Sequence, residues 1–413
     1  MSQPSVSKQA KEPSYQELGD IAFSQGQLDR AASLYSQSLS DNPSSALAEY
    51  SLGEIYRCKH NIEQAIEHYG NALQIDPFYN SPLVQLLFMK TRPEQLGRIV
   101  SFYRELSKKE PSNPWISVRL GDVLTKQEKI DLAILSYQSA SLKMIRQKYP
   151  EYVSEHWLRG ETATPSYIII GPMKTATSAL YEYINQHSKV LPSIKKEIHF
   201  FNDHKRLSYG ESWYLAHFPK IPNGSGFITG EASPGYVVND TQNAIFERFP
   251  ETKIITLVRN PVDRARSHYE HNVRHGFERR TFEASVMSEL SLLADVENPI
   301  KLAKKWNWSK YPGYLLLGLY AGFIQEWVSV FPKDQMMIVE NRKLSENPLE
   351  TMNSVFRFLG LGIQHLPTYR RYNTGQYSDL NKDPSIEKAL SSFFEPHNRK
   401  LEAILHNIDL GYS

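Results

Sequence analysis

Along the first third of the chain, apolar residues recur three and four positions apart, the spacing of one face of a helix. "ELGDIAFSQGQLDRAASLYSQSLSDNP" is followed by "SLGEIYRCKHNIEQAIEHYGNALQIDP", so amphipathic segments come in pairs and the pairs repeat. Gly19 and Gly53, Ala31 and Ala65, and Pro43 and Pro77 are each 34 residues apart, and tyrosine recurs in phase at Tyr35, Tyr69, Tyr103 and Tyr137. Pro111, Gly121, Ala133 and Ala140 continue the series. Beyond "ETATPS" (161–166) the pattern changes. Near-continuous apolar runs at 167–171, 226–230, 253–258 and 335–339 are separated by helical segments. Such runs predict a parallel sheet covered by helices on both faces, with ligands outside the carboxyl ends of its strands.

The period of the first region resembles the tetratricopeptide repeat. Glycine and alanine let two helices approach closely, tyrosine fills the space between repeats, and proline ends the second helix. The third copy is degenerate, with Leu87 in place of the glycine and Ile99 in place of the alanine. About four units over 12–145 and a closing helix give an all-α repeat solenoid at 12–160, followed by an α/β domain at 165–413. Arrays of this kind bind a peptide or a protein on their concave face, so a protein partner is implied for this one.

A chain of 413 residues is too long for one ordinary core, which agrees with two domains. The net charge of +2 gives no reason to expect nucleic-acid binding. Cys58 is the only cysteine, which excludes an intrachain disulfide and a cysteine metal cluster. The opening MSQPSVSKQAKEP has no apolar core of a signal peptide, and no apolar stretch approaches the ~18 residues of a transmembrane helix. The expectation is a cytoplasmic protein with no transmembrane segment.

The chemistry is concentrated in two stretches. "YIIIGPMKTATSALYEYI" (167–184) is an apolar strand, a turn and an amphipathic helix. It is not the common nucleotide loop GxxxxGK(S/T), because Lys174 follows Gly171 by three residues and no second glycine is present. The turn still aims backbone N–H groups and a helix N-terminus at an anion, with Lys174 as a point charge and Thr175, Thr177 and Ser178 as hydroxyl donors. "KIITLVRNPVDRARSHYEHNVRHG" (253–276) delivers Arg259 at a strand end, starts a helix at Pro261 and places Ser267 about two turns into it. Arginine there can hold a phosphate bidentately beside the serine hydroxyl. Two separate anion cradles suit one nucleotide with phosphates at both ends of its ribose, which ATP is not.

With these motifs in this order, 165–413 resembles the sulfotransferases that use 3′-phosphoadenosine 5′-phosphosulfate, especially the heparan sulfate branch and its bacterial relatives. The implied fold is a parallel-sheet, P-loop-like α/β domain behind the all-α solenoid. The resemblance implies that "PMKTATSAL", with Lys174, Thr175, Ala176, Thr177 and Ser178, holds the 5′-phosphosulfate, and that Arg259 and Ser267 hold the 3′-phosphate. It also implies that "KKEIHFFND" (195–203) carries the catalytic Glu197 and that "GEASPGYV" (230–237) lies beside the sulfate. "YNTGQYSDL" (372–380), with Gly375 and Tyr377, would close over the nucleotide. "LLLGLYAGFIQEWVSVFP", "MMIVENRKLSENP" and "FRFLGLG" resemble the family's C-terminal half. The implied reaction moves a sulfuryl group to a hydroxyl or amine of a carbohydrate, with Lys174 on the leaving oxygen, Glu197 as base and no metal.

His199 is a second candidate base, two residues on and therefore on the same side of an extended segment. Two positions depart from the family: Ala176 stands where the loop often has glycine, and Ala232 where the animal enzymes carry lysine. Two other readings are a nucleotide kinase or NTPase on a related fold, and a catalytically inactive interaction protein built on the repeats. The lysine spacing and the Arg259–Ser267 cradle argue against the first. Retention of Lys174, Glu197, Arg259 and Ser267 together argues against the second. His187, His268, His271 and His275 have no partner pattern, and Trp306, Trp308, Tyr311 and Tyr314 read as packing aromatics.

Overall fold

The computed structural model describes residues 12–305, 312–370 and 383–407. The chain divides into two compact units, Met1–Met144 and Ile145–Ser413.

The first unit is helical. Its helices are α1 (Tyr15–Ser24), α2 (Leu28–Asp41), α3 (Ala46–Cys58), α4 (Ile62–Ile75), α5 (Asn80–Phe88), α6 (Pro93–Lys109), α7 (Pro114–Lys126) and α8 (Ile130–Lys148). Three of the repeats are locked by the same contact. A Cβ built on Gly19 would lie 2.4 Å from the ring of Tyr35, one on Gly53 2.5 Å from Tyr69, and one on Gly121 2.4 Å from Tyr137. The tyrosine therefore packs flat on the glycine of its own repeat, not between repeats as the sequence suggests. Its hydroxyl needs a partner once the ring is buried. The acidic residue next to each glycine supplies it: Tyr35 donates to Asp20 at 2.8 Å, Tyr69 donates to Glu54, and Tyr137 donates to Asp122 at 2.9 Å. The degenerate third repeat has lost both glycine and acid, and Tyr103 donates instead to the Leu83 carbonyl at 3.0 Å.

The second unit is built on four parallel strands: β1 (Tyr167–Gly171), β2 (Gly230–Ala232), β3 (Lys253–Val258) and β4 (Met336–Glu340). Their order is β2-β1-β3-β4, with Ile169 opposite both Ala232 and Ile255, and Leu257 opposite Val339. Alternate strand residues face opposite layers. Leu257 and Val339 pack with helices α10 (Thr177–Ile184) and α13 (Pro348–Phe358), whereas Val258 and Ile338 pack with α12 (Tyr320–Val328) and α14 (Pro384–Asn407). Both faces are thus covered, which is why the strands read as unbroken apolar runs.

The run at 226–230 reads as a strand in sequence, yet before Gly230 only Ile228 pairs, in a single bridge to Val190. Gly226 sits at a left-handed φ of 72°, and the ladder starts at Gly230, where a Cβ would lie 2.3 Å from the Tyr167 carbonyl oxygen. The closing helix that the sequence assigns to the repeats falls in the second unit. In α9 (Pro150–His156) and just before it, Tyr152 donates to the Lys220 carbonyl at 2.6 Å and Tyr149 to the Val190 carbonyl at 3.2 Å. Among the described residues, no helix is long and apolar enough to cross a membrane.

The chain leaves β1 for β2 on one side and returns to β3 on the other. The order reverses at β1, so a crevice opens at its carboxyl end, where the loop 171–178 lies.

The glycine–tyrosine lock predicts opposite effects for two helical glycines. Gly53→Ala drives a methyl into the Tyr69 ring and is expected to destabilise the repeat unit by about 1–3 kcal/mol. Gly97 in α6 has nothing within 4 Å of a built Cβ. Gly97→Ala should therefore stabilise by about 0.5–1 kcal/mol. Urea unfolding of both variants checks the pair.

Candidate active site

The loop after β1 is a left-handed turn held from beneath. Gly171 has φ 108°, and a Cβ there would lie 2.2 Å from the Pro234 carbonyl oxygen, so only glycine fits. Lys174 and Ala176 also have positive φ, 68° and 80°. This is the conformation that a glycine at position 176 would adopt without strain, and alanine holds it at a cost of about 1 kcal/mol. Thr175 between them is fully buried, and its hydroxyl donates to the Pro172 carbonyl at 2.7 Å. Thr175 therefore braces the loop from inside. Two further ties fix it: Arg259 donates to the Lys174 carbonyl at 3.2 Å, and Asn341, at the end of β4, donates to the Thr175 carbonyl at 3.2 Å. Helix α10 follows, and the residues of its first turn, Thr177, Ser178 and Ala179, line the cleft.

The second cradle comes from β3 and α11 (Pro261–Arg274). Asn260 caps that helix by accepting from Val262 and Asp263 N–H at 3.0 and 3.1 Å, and Pro261 occupies its first turn. Ser267 and His271, four residues apart on one helix face, both line the cleft. Burial, with the charges of Arg274, Arg259, Arg264 and Lys196, lowers the Lys174 ammonium below its ordinary 10.5. Burial and the charges of Lys174, His275 and Arg274 hold His271 near 4. The cleft is thus a set of mutually repelling cations whose repulsion a bound polyanion relieves.

The carboxylate side of the cleft hangs from a buried residue, Glu231 in β2. Its oxygens accept from Tyr214 at 2.7 Å, Tyr236 at 3.1 Å, Ser233 at 2.5 Å and the Ile198 N–H at 3.4 Å. Ser233 in turn accepts from the His199 N–H at 3.2 Å, and Tyr236 from the Phe200 N–H at 2.9 Å. The Ala232 N–H donates to the Lys196 carbonyl at 3.0 Å. Every backbone group of the segment 196–200 that these contacts reach is tied to the end of β2. Glu197 projects from it, with Oε1 2.5 Å from Lys196 Nζ and Oε2 3.4 Å from His199 Nε2. Burial pushes its pKa up, but the His199 contact and the Lys196 charge outweigh that and hold it at about 2.

One cleft of about 530 Å³ gathers Lys174, Ala176, Thr177, Ser178, Glu197, Arg259 and Ser267. Thr175 and His199 do not line it. His199 has φ 55°, so its side chain leaves the direction that an extended segment would give it. Gly375 and Tyr377 lie outside the described residues, as do Trp306, Trp308 and Tyr311. Ala232 is fully buried in the apolar core. Sequence reasoning missed Lys196, His271, Asn341 and the aromatic pair Tyr183 and Tyr369, all of which line the cleft. For His271 the i, i+4 relation to Ser267 was an available signal. His187 is spent on structure, with Nε2 3.0 Å from the Gly362 carbonyl oxygen and Nδ1 accepting from the Lys189 N–H at 3.1 Å. Tyr314 is buried, with its ring against His268.

Comparison with known proteins bears on the same region. The sulfotransferase domain family matches residues 164–400, more than half of the chain, and the tetratricopeptide repeat family matches 17–80. The human bifunctional heparan sulfate N-deacetylase/N-sulfotransferase 2 is 29% identical over 286 residues, which is 61% of this chain and 31% of the relative. The Bos taurus protein of the same name is 32% identical over the same shares. The chain spans about a third of the length of these curated relatives. A solved sulfotransferase from Alicyclobacillus acidocaldarius is 27% identical, covering 59% of this chain and 96% of that one with a TM-score of 0.47.

The depressed Lys174 makes anion binding pH-dependent. In the free protein Lys174 loses its proton below the ordinary 10.5, and a bound phosphate beside it restores the proton. Affinity for adenosine 3′,5′-bisphosphate should therefore fall as pH rises through the lowered value, with proton uptake on binding in that window. Calorimetry in two buffers of different ionisation enthalpy measures the uptake, and Lys174→Met should abolish it.

Proposed function

The chain belongs to the sulfotransferase family, and from that premise we propose that it transfers a sulfuryl group from 3′-phosphoadenosine 5′-phosphosulfate to a carbohydrate hydroxyl or amine. The observation that supports this most is the gathering of Lys174, Glu197, Arg259 and Ser267 in one cleft at the carboxyl end of the switch strand. The donor is a co-substrate, and the residues present fit it. Repelling cations and a left-handed loop suit its 5′ end, Arg259 and Ser267 its 3′-phosphate, and the rings of Tyr183 and Tyr369 its base. The carbohydrate acceptor rests on the likeness to the heparan sulfate N-deacetylase/N-sulfotransferases.

Sulfuryl transfer resembles phosphoryl transfer, an in-line displacement with charge spread over equatorial oxygens. The acceptor oxygen or nitrogen forms a bond to sulfur while the bond from sulfur to the 5′-phosphate oxygen breaks. That oxygen keeps the electron pair, and Lys174 stabilises the charge. The acceptor proton passes to Glu197, which the neighbouring cation keeps ionised. His199 touches Glu197 from outside the cleft and orients it. The repeat unit carries none of these groups, and we assign it to a protein or peptide partner.

Two measurements test this. Calorimetry should show tight binding of adenosine 3′,5′-bisphosphate without magnesium and weak binding of ATP, and Arg259→Ala should cost about 2 kcal/mol or more of bisphosphate affinity. Equal affinity for ATP would defeat the assignment. In a labelled-sulfate assay over polysaccharides, phenols and peptides, Glu197→Gln should lose about 10²–10⁴-fold in turnover with bisphosphate affinity kept. His199→Ala should lose less. The reverse ranking would make the histidine the base.

A further inference from the structure

A base held at about 2 is a weak one at neutral pH, because proton transfer is most efficient when the acceptor's pKa lies near the working pH. The residue that contributes to this stands next to it in sequence and in the cleft. Lys196 and Glu197 both line the cleft, with Nζ 2.5 Å from Oε1. The Lys196 side chain is 22% exposed, against 44% for Glu197. Its charge also acts on Lys174, so it stands near the place of the leaving oxygen. Its backbone cannot shift freely, since its carbonyl accepts from the Ala232 N–H at 3.0 Å and the Ile198 N–H is held by Glu231. Only the four-carbon stem can swing. The strand end it abuts carries no cation, because Ala232 is wholly inside the apolar core.

We propose that Lys196 is a second catalytic cation that latches the base. With no donor seated it pairs with Glu197; when the sulfuryl group arrives, the ammonium moves to its equatorial oxygens and frees the carboxylate for the acceptor proton. Charge balances at each stage: one ammonium leaves one carboxylate for one anionic group, and no proton moves until the acceptor attacks sulfur. Released Glu197 keeps only His199, at 3.4 Å from its other oxygen, so it becomes more basic while still oriented. This coupling ties activation of the base to presence of the sulfuryl group, and it rests on the sulfotransferase assignment above.

The test uses the full chain, the variants Lys196→Met and Lys196→Arg, and the best acceptor from the labelled-sulfate panel. Bisphosphate lacks the sulfuryl group but still feels the lost cleft charge, so Lys196→Met should weaken its binding by no more than about tenfold, while turnover falls about 10²–10³-fold. Lys196→Arg should restore most of the turnover, because its charge reaches the same oxygens. Turnover kept within about threefold in Lys196→Met would overturn the latch. So would a loss of bisphosphate affinity as large as the loss of turnover, since that marks a general electrostatic or folding role. Wild-type protein that binds neither bisphosphate nor transfers label would instead bring down the sulfotransferase reading, and the latch with it.

Discussion

The catalytic half of this protein depends on one buried carboxylate. Glu231 has no exposure, and taking a carboxylate out of water is tolerable only when donors replace the lost hydration. Tyr214, Tyr236, Ser233 and the Ile198 N–H do so. Burial raises its pKa above the ordinary value, and the hydrogen bonds from Ser233, Tyr214 and Tyr236 offset only part of that rise. Two of those donors act in both directions, since Ser233 and Tyr236 also receive the backbone N–H groups of His199 and Phe200. A single desolvated charge at a strand end thereby orders the whole turn from which Glu197 projects. The turn has no regular secondary structure of its own, so without this network its backbone groups would fall to water.

A second constraint runs the other way. Burial, with the charges of Arg274, Arg259, Arg264 and Lys196, lowers the proton affinity of Lys174, a cost to the folded state. The fold tolerates it because the elements that carry these residues are anchored elsewhere. β1 and β3 each have a strand paired on both sides, α11 is capped by Asn260, and the loop is tied by Arg259 and Asn341. The strain is electrostatic, and binding of a polyanion returns it as affinity.

Much of this was legible in the chain. The 34-residue phase announced the repeats because packing against glycine admits few alternatives. The apolar runs at β1, β3 and β4 announced a parallel sheet, and the strand ends before Lys174 and Arg259 announced where the two residues meet, in one cleft. What sequence could not supply were the pairings between elements. The tyrosine hydroxyl finds its acid only after two helices pack, and Glu231 meets Tyr214 and the Ile198 N–H from earlier segments of the chain. Thr175 reads as one more hydroxyl of the loop, yet the left-handed residues on either side turn it inward. His199 reads as a partner of Glu197 on one side of a strand, and its positive φ breaks that alternation.

The site therefore divides its order unevenly, and the chemistry requires that division. The proposed group transfer needs its acceptor base and leaving-group cation held within fractions of an ångström, and the backbone ties at the ends of β1, β2 and β3 suit that need. It also needs charges that rearrange as the substrate's own charge arrives, which a fully satisfied network would forbid. Glu231 is such a network, and it carries no catalytic charge. Glu197 and Lys196 are half-exposed and partly exposed and paired with each other, on a backbone that Glu231 keeps still, and the proposed latch has them exchange partners there. Rigid main chain under mobile charge lets one cleft be preorganised before binding and still respond to it.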